Sequence, residues 1–538
     1  MRSFLLLCLL FLGIINPLFS EEPERMLVVS PSIFMETLQP LIEWRILNGI
    51  EIDILNMDSV EHTPTALKAA IAERYTIQPF TYLLLVGDDM YIPAHVVRKS
   101  DKYYIMDNWY AEFSGEEGRP DVAMGRFSAE TAEQVAMQVR KTIDYEANPP
   151  EMQHFSTFAG IASESGPGDK NEYDFEHIRN LGKQLLDYTY TTGYEFFEGT
   201  HGELDAPNDP HAGMISSAIN DGIGILLYCG HGESDRFVTG NFQSSHINSL
   251  TNYNKLPFVI STACFNGNYV ERTCMAEHWL RASHEGKATG AVAAFMCSGN
   301  VEWNEPMAGQ DEIVNVLTNP AIDQQEKTLG KMAFQGLRKI LDTYGNPETT
   351  RSWLLFGDPA LTVRTAEPQS LSVTVDTIFP IGTTSLTVSS STESAKVVLS
   401  TKHQVLAIGY IHNGTATLPL SYASQEDSIQ LLVTAFNHVP VQHTITFSGE
   451  NITTEHPSAK SIQIYPNPTE GVIYIGSSSL VTEQFEAVIC SIAGKKISSF
   501  LLSGTTSQIN LSHLPQGIYI IQLIHQNKII STDKIIKH

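Results

Sequence analysis

Basic residues are scarce in this chain of 538 residues, and cysteine pairs of the CxxC type are absent from it. The 34 Lys and Arg are outnumbered by 60 Asp and Glu, which gives a formal net charge of -26 at pH 7. Sequence-independent binding to nucleic acid needs clustered Lys and Arg that displace counterions from phosphates, so this class is excluded and a positively charged substrate is more compatible. None of the six cysteines lies in a CxxC pair, so a zinc or redox site has little support.

Long apolar runs are absent beyond the N-terminus. There, Arg2 precedes the run FLLLCLLFLGII and the stretch ends in the small residue Ser20, which is typical of an export signal cleaved after Ser20. A signal anchor is the alternative, but the run is shorter than the ~20 residues that a bilayer span needs. We expect residues 1–20 to be a signal peptide and the mature chain to have no transmembrane segment. Removal of Cys8 with the signal leaves an odd number of cysteines, so at least one thiol lies outside any disulfide.

Strands and helices alternate from Met26 to about residue 365. The strand-like runs MLVVS, EIDILNM and TYLLLVGDD alternate with helix-like segments such as TPTALKAAIAERYT. This alternation predicts parallel sheet covered by helices, over a length sufficient for two such sheets side by side. From about residue 366, short β-branched runs at spacings of roughly ten residues predict an all-β sandwich instead.

The change from alternating strands and helices to short strands alone divides the chain into domains. We predict an α/β domain at 21–365, a β-sandwich at 366–450, a polar linker at 451–461 and a second all-β domain at 462–538.

The candidate catalytic residues lie at the ends of two predicted strands. The run GIGILLYCGHGES stops at His231 between two glycines, and LPFVISTACFNGNY stops at Cys264. The carboxyl edge of an open α/β sheet is where ligands bind, and adjacent strands would bring thiol and imidazole side by side. A Cys that ends an apolar strand is more often an inert core residue, but its occurrence together with His231 favours a nucleophile activated by a base. The backbone N–H groups of Gly232 and Cys264 are then candidates for an oxyanion hole.

The same two blocks carry a resemblance to a known family. YCGHGESDRF followed by LPFVISTACFNGNY resembles the gingipain-type cysteine peptidases of family C25, which have a caspase-like fold. LLLVGDDMYIP, VAMGRFSAETAEQ, GIASESGPGDKNEYDFEH, EWNEPMAGQDEI and WLLFGDPALTVRT resemble stretches of the arginine-specific gingipains. The resemblance implies a caspase-like α/β catalytic domain of two subdomains at 21–365, followed by an immunoglobulin-like β-sandwich at 366–450.

Catalytic roles follow from this resemblance position by position. Cys264 would be the nucleophile and His231 the base, with the backbone of Gly232 and Cys264 as oxyanion hole. Family members have an acid after the GIAS strand that orients the His. Here the strand reads GIASES, so Glu164 is the candidate, offset by one position, with Ser165 in the usual place. Its alternative is a solvated loop carboxylate.

Substrate-binding roles are implied in the same way. Asp174 matches the acid that pairs with the substrate arginine, and a carboxylate facing a guanidinium can form a bidentate pair. Its alternative is an acid at a helix N-terminus, favoured by the helix dipole. Trp303 and Met307 match residues that wall the first specificity pocket and could pack along an arginine stem, or they could be core residues. The resemblance therefore predicts cleavage after Arg, with Lys disfavoured.

The resemblance also has implications for cofactors and for inhibition of the enzyme by a prodomain. We expect no cofactor for catalysis, and structural calcium as in family members, because hard cations favour oxygen ligands. The loop carboxylates that could take part are Asp88, Asp89, Asp101, Asp107, Asp169 and Glu172. Gingipains carry a long inhibitory prodomain, whereas the first strand here begins at Met26, so we expect no latency by that route.

The C-terminal domain has a resemblance of its own. IQIYPNPTEGVIYI, SIAGKKI, LPQGIYIIQL and the terminal KIIKH are similar to the sorting domain of the type IX secretion system of Bacteroidota. This implies that the secretion machinery is a partner and that the protein crosses the outer membrane, to be released or held at the cell surface. The alternative for this domain is an adhesive β module.

Three functions remain open on the sequence. The first is a secreted cysteine endopeptidase that cleaves proteins or peptides after Arg through a Cys-His dyad and a thioester. The second is a surface adhesin or binding protein with a degenerate peptidase domain, and the third is a caspase-like ligase or transpeptidase. Intact His231 and Cys264 with their flanking glycines favour catalysis, but the sequence does not separate hydrolysis from aminolysis of the same thioester.

Overall fold

A computed structural model describes residues 20–538 except 100–101, 116, 151–152, 271, 421–428, 449–462, 477–484, 492–495, 503–505 and 526–527. The predicted signal peptide, apart from Ser20, and the predicted linker at 451–461 lie outside the described residues, as does Asp101. The chain forms two compact units, Met1–Gly449 and Glu450–His538.

The strands of the first domain are short and mostly buried. They are β1 (Glu24–Ser30), β2 (Ile50–Asn56), β3 (Tyr82–Val86), β4 (Val96–Lys99), β5 (Lys102–Ile105), β6 (Ala123–Phe127), β7 (Thr157–Ala162), β8 (Thr192–Phe197), β9 (Ile225–Cys229), β10 (Gly232–Glu233), β11 (Arg236–Phe237), β12 (Phe242–Gln243), β13 (Phe258–Thr262), β14 (Ser283–His284), β15 (Lys287–Ala288), β16 (Ala293–Cys297) and β17 (Trp353–Phe356).

Ten of these strands form one sheet, in the order β2-β1-β3-β6-β17-β16-β13-β9-β7-β8. Every neighbouring pair is parallel except β16 and β17, which are antiparallel. The two parallel sheets that the alternation predicts are thus the two halves of one sheet, joined where β17 pairs with both. Since the halves run in opposite directions, the carboxyl ends of β7, β9, β13 and β16 share one edge.

Helices cover both faces of this sheet, as the alternation predicts. They are α1 (Met35–Leu47), α2 (Pro64–Ile77), α3 (Ala132–Ala147), α4 (Asp174–Leu186), α5 (Ala212–Asp221), α6 (Ser244–Ile247), α7 (Met275–Arg281), α8 (Asn304–Thr318), α9 (Leu329–Tyr344) and α10 (Pro347–Ser352). Capping side chains mark the starts of three helices. The hydroxyl groups of Thr63, Thr131 and Thr328 accept hydrogen bonds from backbone N–H groups of α2, α3 and α9. None of the described helices is both long and apolar enough to cross a bilayer.

Alternation along the strands separates two cores. On β9, Leu227 and Cys229 belong to the core that includes residues of α4, α8 and α9, whereas Leu226 and Tyr228 belong to the core that includes residues of α5, α6 and α7. Because both faces are covered, central strands such as β3 and β9 are apolar throughout instead of alternating.

The immunoglobulin-like domain consists of two sheets around a shared core. Its strands are β18 (Val373–Val375), β19 (Ile378–Pro380), β20 (Ser385–Ser390), β21 (Lys396–Ser400), β22 (Val405–Tyr410), β23 (Thr415–Pro419), β24 (Ile429–Thr434) and β25 (Val441–Ser448). One sheet has the order β18-β20-β23 and the other β19-β25-β24-β21-β22, and alternate residues such as Val388 and Leu431 fill the core.

The second unit is all β, as the sequence predicts. Its strands are β26 (Gln463–Tyr465), β27 (Val472–Gly476), β28 (Phe485–Ser491), β29 (Lys496–Leu502), β30 (Thr506–Asn510), β31 (Gly517–His525) and β32 (Lys528–Lys537). They form the sheets β26-β27-β30 and β29-β28-β31-β32, with buried residues such as Ile473 and Ile521 in the core.

Candidate active site

The register of β9 and β13 brings the two candidate catalytic residues to the same level. These strands are parallel neighbours in which Thr262 lies opposite Cys229. Cys264 and His231 each follow two residues later, beyond the end of their strands. The Cys264 side chain is half-buried and His231 is exposed at this edge. The structure therefore brings together the pair that the sequence predicts.

A short hairpin, β10 and β11, begins directly after His231. The backbone N–H of Val238 and the hydroxyl of Tyr228 both donate to the His231 carbonyl, at 3.0 and 2.5 Å. At Gly232 a Cβ would lie 2.6 Å from the Cys264 carbonyl oxygen, an approach that real Cβ atoms do not make. Gly232 therefore allows the hairpin to lie against the nucleophile loop.

Hydrogen bonding in the hairpin also fixes the direction of the Gly232 N–H. Since His231 accepts the Val238 N–H, Gly232 and Phe237 oppose each other as a pair that exchanges no hydrogen bonds. The N–H of Gly232 consequently points away from the partner strand of the hairpin. This direction is compatible with the predicted oxyanion hole.

The chain turns sharply after Cys264. Phe265 has a φ of 62°, in the left-handed region that bulky residues rarely occupy. Its N–H donates to the Gly299 carbonyl at 3.0 Å, and the N–H of Gly267 donates to the Cys297 carbonyl at 2.8 Å. Strained backbone of this kind is concentrated at functional sites, where the surrounding structure holds it in place.

Asp174 is a fully buried carboxylate at the start of α4. It accepts hydrogen bonds from the Ser163 hydroxyl, from the Cys229 thiol at 3.2 Å and from the Trp303 indole at 2.9 Å. Burial raises the pKa of Asp174, and these three hydrogen bonds partly oppose that rise. Both sequence interpretations of Asp174 are compatible with this position, because it is a helix N-terminal acid that also faces the candidate site.

Trp303 lies between the candidate base and the candidate specificity acid. Its ring meets the His231 imidazole edge to face, with centroids 5.2 Å apart, while its Nε1 bonds Asp174. Met307 is fully buried in the core beneath it. A Cβ at Gly168 would lie 2.3 Å from the Met307 sulfur and 2.7 Å from Trp303 Cδ1, so this loop closes tightly over both side chains.

Glu164 is not brought to His231. Its exposed carboxylate lies 3.3 Å from Nε2 of His201, in the loop after β8. Among the residues that the structure describes, no carboxylate lies within ion-pair distance of the His231 ring. The Glu164 side chain lies against Gly199, where a Cβ would overlap the Glu164 carboxylate. The carboxylate of Glu164 is thus paired with His201.

The acids considered for calcium have partners within the protein. Asp107 accepts from Arg126 at 2.9 Å and from the Tyr269 hydroxyl at 2.6 Å. The others accept as follows: Asp88 from the Met90 N–H, Asp89 from the Ala94 N–H, Asp169 from the Tyr344 hydroxyl and Glu172 from the Asn180 amide. No three His, Cys, Asp or Glu side chains converge as a metal site requires within the described ranges. Calcium binding remains a prediction from the resemblance.

Two residues that support Asp174 were given no role by the sequence reasoning. Ser163 and Cys229 lie at the ends of the adjacent strands β7 and β9. Burial, followed by the Asp174 charge, raises the pKa of the Cys229 thiol well above its usual value, so this thiol is a neutral donor. Its position at the end of β9, two residues before His231, is the signal that would have indicated it. None of the five described cysteines forms a disulfide.

Comparison with known proteins agrees with this architecture. Residues 19–364 match peptidase family C25, and residues 463–538 match a secretion system C-terminal sorting domain. Gingipain R1 of Porphyromonas gingivalis is 30% identical over 450 residues, covering 81% of this chain and 44% of that protein. Gingipain R2 of strain W83 is 29% identical over 475 residues, covering 82% of this chain and 62% of that protein. The chain thus spans less than two thirds of the length of these relatives.

Solved structures show the same fold. The complex of the pro- and mature domains of RgpB from Porphyromonas gingivalis superimposes with a TM-score of 0.74 at 28% identity, covering 79% of this chain and 100% of that one. The Arg-specific cysteine proteinase gingipain R superimposes with a TM-score of 0.73 at 27% identity, covering 80% of this chain and 100% of that one. The fold is therefore the predicted caspase-like α/β domain with β domains after it.

These findings also fix the destination of the protein and its family. The C-terminal sorting domain indicates that the chain is secreted or held at the cell surface. The family match extends over more than half of the chain. The chain belongs to peptidase family C25, the gingipain-type cysteine peptidases.

Proposed function

We propose that the protein is an exported endopeptidase that cleaves peptide bonds after Arg, with Cys264 as nucleophile and His231 as base. The observation that carries the proposal is the register of β9 and β13, which ends both strands at the same level with thiol and imidazole beyond them. The type IX secretion machinery would deliver the enzyme to its protein or peptide substrates outside the cell.

In the proposed reaction, His231 accepts the Cys264 proton and the thiolate attacks the carbonyl carbon of the scissile bond. The N–H groups of Gly232 and Cys264 stabilise the oxyanion that forms, each by about 3 to 4 kcal/mol in a preorganised site. His231 then donates its proton to the leaving amine, which departs with the bond electrons and leaves a thioester. Water, deprotonated by His231, attacks the thioester carbonyl and releases the acid and the thiol.

Asp174 supports the proposed arginine preference. A buried carboxylate is costly to ionise alone, and a guanidinium brings the compensating charge together with a planar fork of donors. Three donors already occupy the carboxylate, which has about four acceptor positions, so about one position is left for a guanidinium N–H. The half-buried Trp303 ring offers a surface for the aliphatic stem of the arginine.

The test compares the purified full chain with Cys264→Ala and His231→Ala on fluorogenic peptides that end in Arg, Lys, Asp or Asn. Cys490→Ala is the matched control, because it removes a buried thiol from the second unit. We expect turnover of Arg peptides by the unchanged protein and the control only. Absence of thiol-dependent turnover on all four peptides refutes the peptidase, and preference for Lys over Arg refutes the role of Asp174. With an added amine nucleophile, the expected product is free acid; coupled peptide would indicate a ligase.

A further inference from the structure

We propose that Asn266 is a positioning residue that holds His231 in place relative to Cys264. This inference rests on the proposed function, because it concerns the geometry of the same dyad. Asn266 follows the nucleophile by two residues and is fully buried. Its amide links the loop that presents Cys264 to the hairpin that begins beside His231.

The Asn266 amide has a partner at both ends. Its Nδ2 donates to the carbonyl of Glu233 at 2.6 Å and to the carbonyl of Arg236 at 3.0 Å, while its Oδ1 accepts the Ser261 hydroxyl at 2.9 Å. Only the NH₂ end can serve two carbonyl groups, so the orientation of the amide is determined by its neighbours. Both donors are used, and the side chain is fixed against β13.

The two carbonyls belong to the closing pair of the hairpin. Glu233 and Arg236 oppose each other at its tip, and Gly232 and Phe237 form the pair nearer to His231. Tyr228 holds the other end through the His231 carbonyl. The hairpin is therefore attached at its base to β9 and at its tip to Asn266, with His231 and Gly232 between these attachments.

This arrangement makes the dyad geometry depend on Asn266. If its donors are removed, two part-buried carbonyls each lose a hydrogen bond and the hairpin tip is released from the nucleophile loop. A displacement of about 1 Å in a catalytic group can lower the rate about 100-fold. Asp174 makes its side-chain hydrogen bonds to Ser163, Cys229 and Trp303, so binding of the arginine side chain should change little.

Asn268 provides a matched control on the same loop. It is also buried, and its Nδ2 donates to the Ser298 carbonyl at 2.8 Å instead of to the hairpin carbonyls. Asn266→Asp and Asn268→Asp make the same isosteric change and each remove a buried amide donor. A general loss of loop stability would affect both variants, whereas a positioning role affects only Asn266→Asp.

The experiment uses the full chain with both variants and measures kcat and KM on an Arg peptide. It also follows the rate at which iodoacetamide alkylates Cys264 from pH 5 to 9, located by mass spectrometry, and the thermal midpoint. We expect Asn266→Asp to lower kcat about 100-fold with little change in KM. Its alkylation profile should shift toward that of an ordinary thiol, with a pKa of about 8.5. Asn268→Asp should keep the profile and kcat of the unchanged protein.

Ser261→Ala is the milder second variant if Asn266→Asp does not fold. It removes the hydroxyl that orients the Asn266 amide and should shift the alkylation profile in the same direction by a smaller amount. An unshifted profile in the folded Asn266→Asp variant, or in Ser261→Ala if that is the one that folds, contradicts the proposal, as does an equal shift in Asn268→Asp. Because alkylation needs no turnover, these outcomes judge the role of Asn266 even if the unchanged protein cleaves no peptide and the proposed function fails.

Discussion

The indole Nε1 of Trp303 donates a hydrogen bond of 2.9 Å to the buried carboxylate of Asp174. The same indole meets the imidazole of His231 edge to face. The proposed specificity acid and the proposed base are therefore connected through one aromatic side chain. Recognition of arginine and orientation of the base should respond together when this side chain changes.

Trp303→Phe tests this connection. The substitution keeps an aromatic ring beside His231 but removes the donor to Asp174. Hydrogen bonds to charged groups contribute about 1.5 to 3 kcal/mol, so we expect kcat/KM on Arg peptides to fall roughly 10- to 100-fold. Trp109→Phe, whose ring stacks on His95 instead, is the control. Unchanged kcat/KM in Trp303→Phe would show that the hydrogen bond to Asp174 has no part in catalysis or recognition.

Asp174→Asn tests the proposed arginine preference. It preserves the size of the side chain and removes the charge that a guanidinium would pair with. We expect kcat/KM on Arg peptides to fall about 100-fold or more, because a charge-assisted pair is lost, while alkylation of Cys264 is retained. The measurement is the ratio of kcat/KM for Arg and for uncharged peptides. A ratio equal to that of the unchanged protein contradicts the assignment.

Low pH should weaken substrate binding through the same residue. Burial raises the pKa of Asp174, so the carboxylate becomes protonated at a higher pH than an ordinary Asp, and its attraction for a guanidinium is then lost. We expect KM for Arg peptides to rise on acidification, with a midpoint above about 3.9, the ordinary value for Asp. KM profiles between pH 4 and 7 measure this effect. A flat KM over the range would contradict it.

Glu164→Gln tests whether Glu164 orients His231, as the resemblance implies. The family pattern assigns this acid to orient His231, but here it is exposed and lies 3.3 Å from His201. We expect little change in kcat, whereas loss of an orienting acid lowers kcat up to about 10,000-fold in a catalytic triad. A large drop in kcat at unchanged thermal stability would restore Glu164 as the third catalytic member.

Stability should also depend on pH through His154. Burial lowers the pKa of this imidazole from 6.5 to about 4, and neither ring nitrogen has a hydrogen-bond partner among the described residues. The unfolded chain takes up a proton near pH 6.5 and the folded chain does not, so acidification from pH 6.5 to 5 should lower the free energy of unfolding by up to about 2 kcal/mol. Denaturant unfolding at both pH values, compared with His154→Leu, measures it. Equal pH dependence in both proteins would exclude His154 as the cause.

The sequence predicted the strand ends because apolar runs that stop at glycine, histidine or cysteine are local patterns. Cys264 and His231 were found in this way, and the resemblance drew attention to Asp174. The junction of β16 with β17 was not predictable, because it pairs segments more than 50 residues apart in opposite directions. The pairing of Glu164 with His201 depends on where the loop after β8 folds back. The anchoring role of Asn266 depends on a hairpin some 30 residues earlier, and no spacing rule connects the two.

The most direct test of the account is active-site labelling with a peptidyl acyloxymethyl ketone that carries Arg at the reacting position, read by mass spectrometry of the full chain. The reagent is attacked by an activated thiolate and needs the arginine site for its approach. We predict a single adduct on Cys264, which is absent in Cys264→Ala and formed much more slowly by the lysine analogue or by Asp174→Asn. An adduct on another residue, no adduct in the unchanged protein, or equal labelling by the lysine analogue would contradict the account.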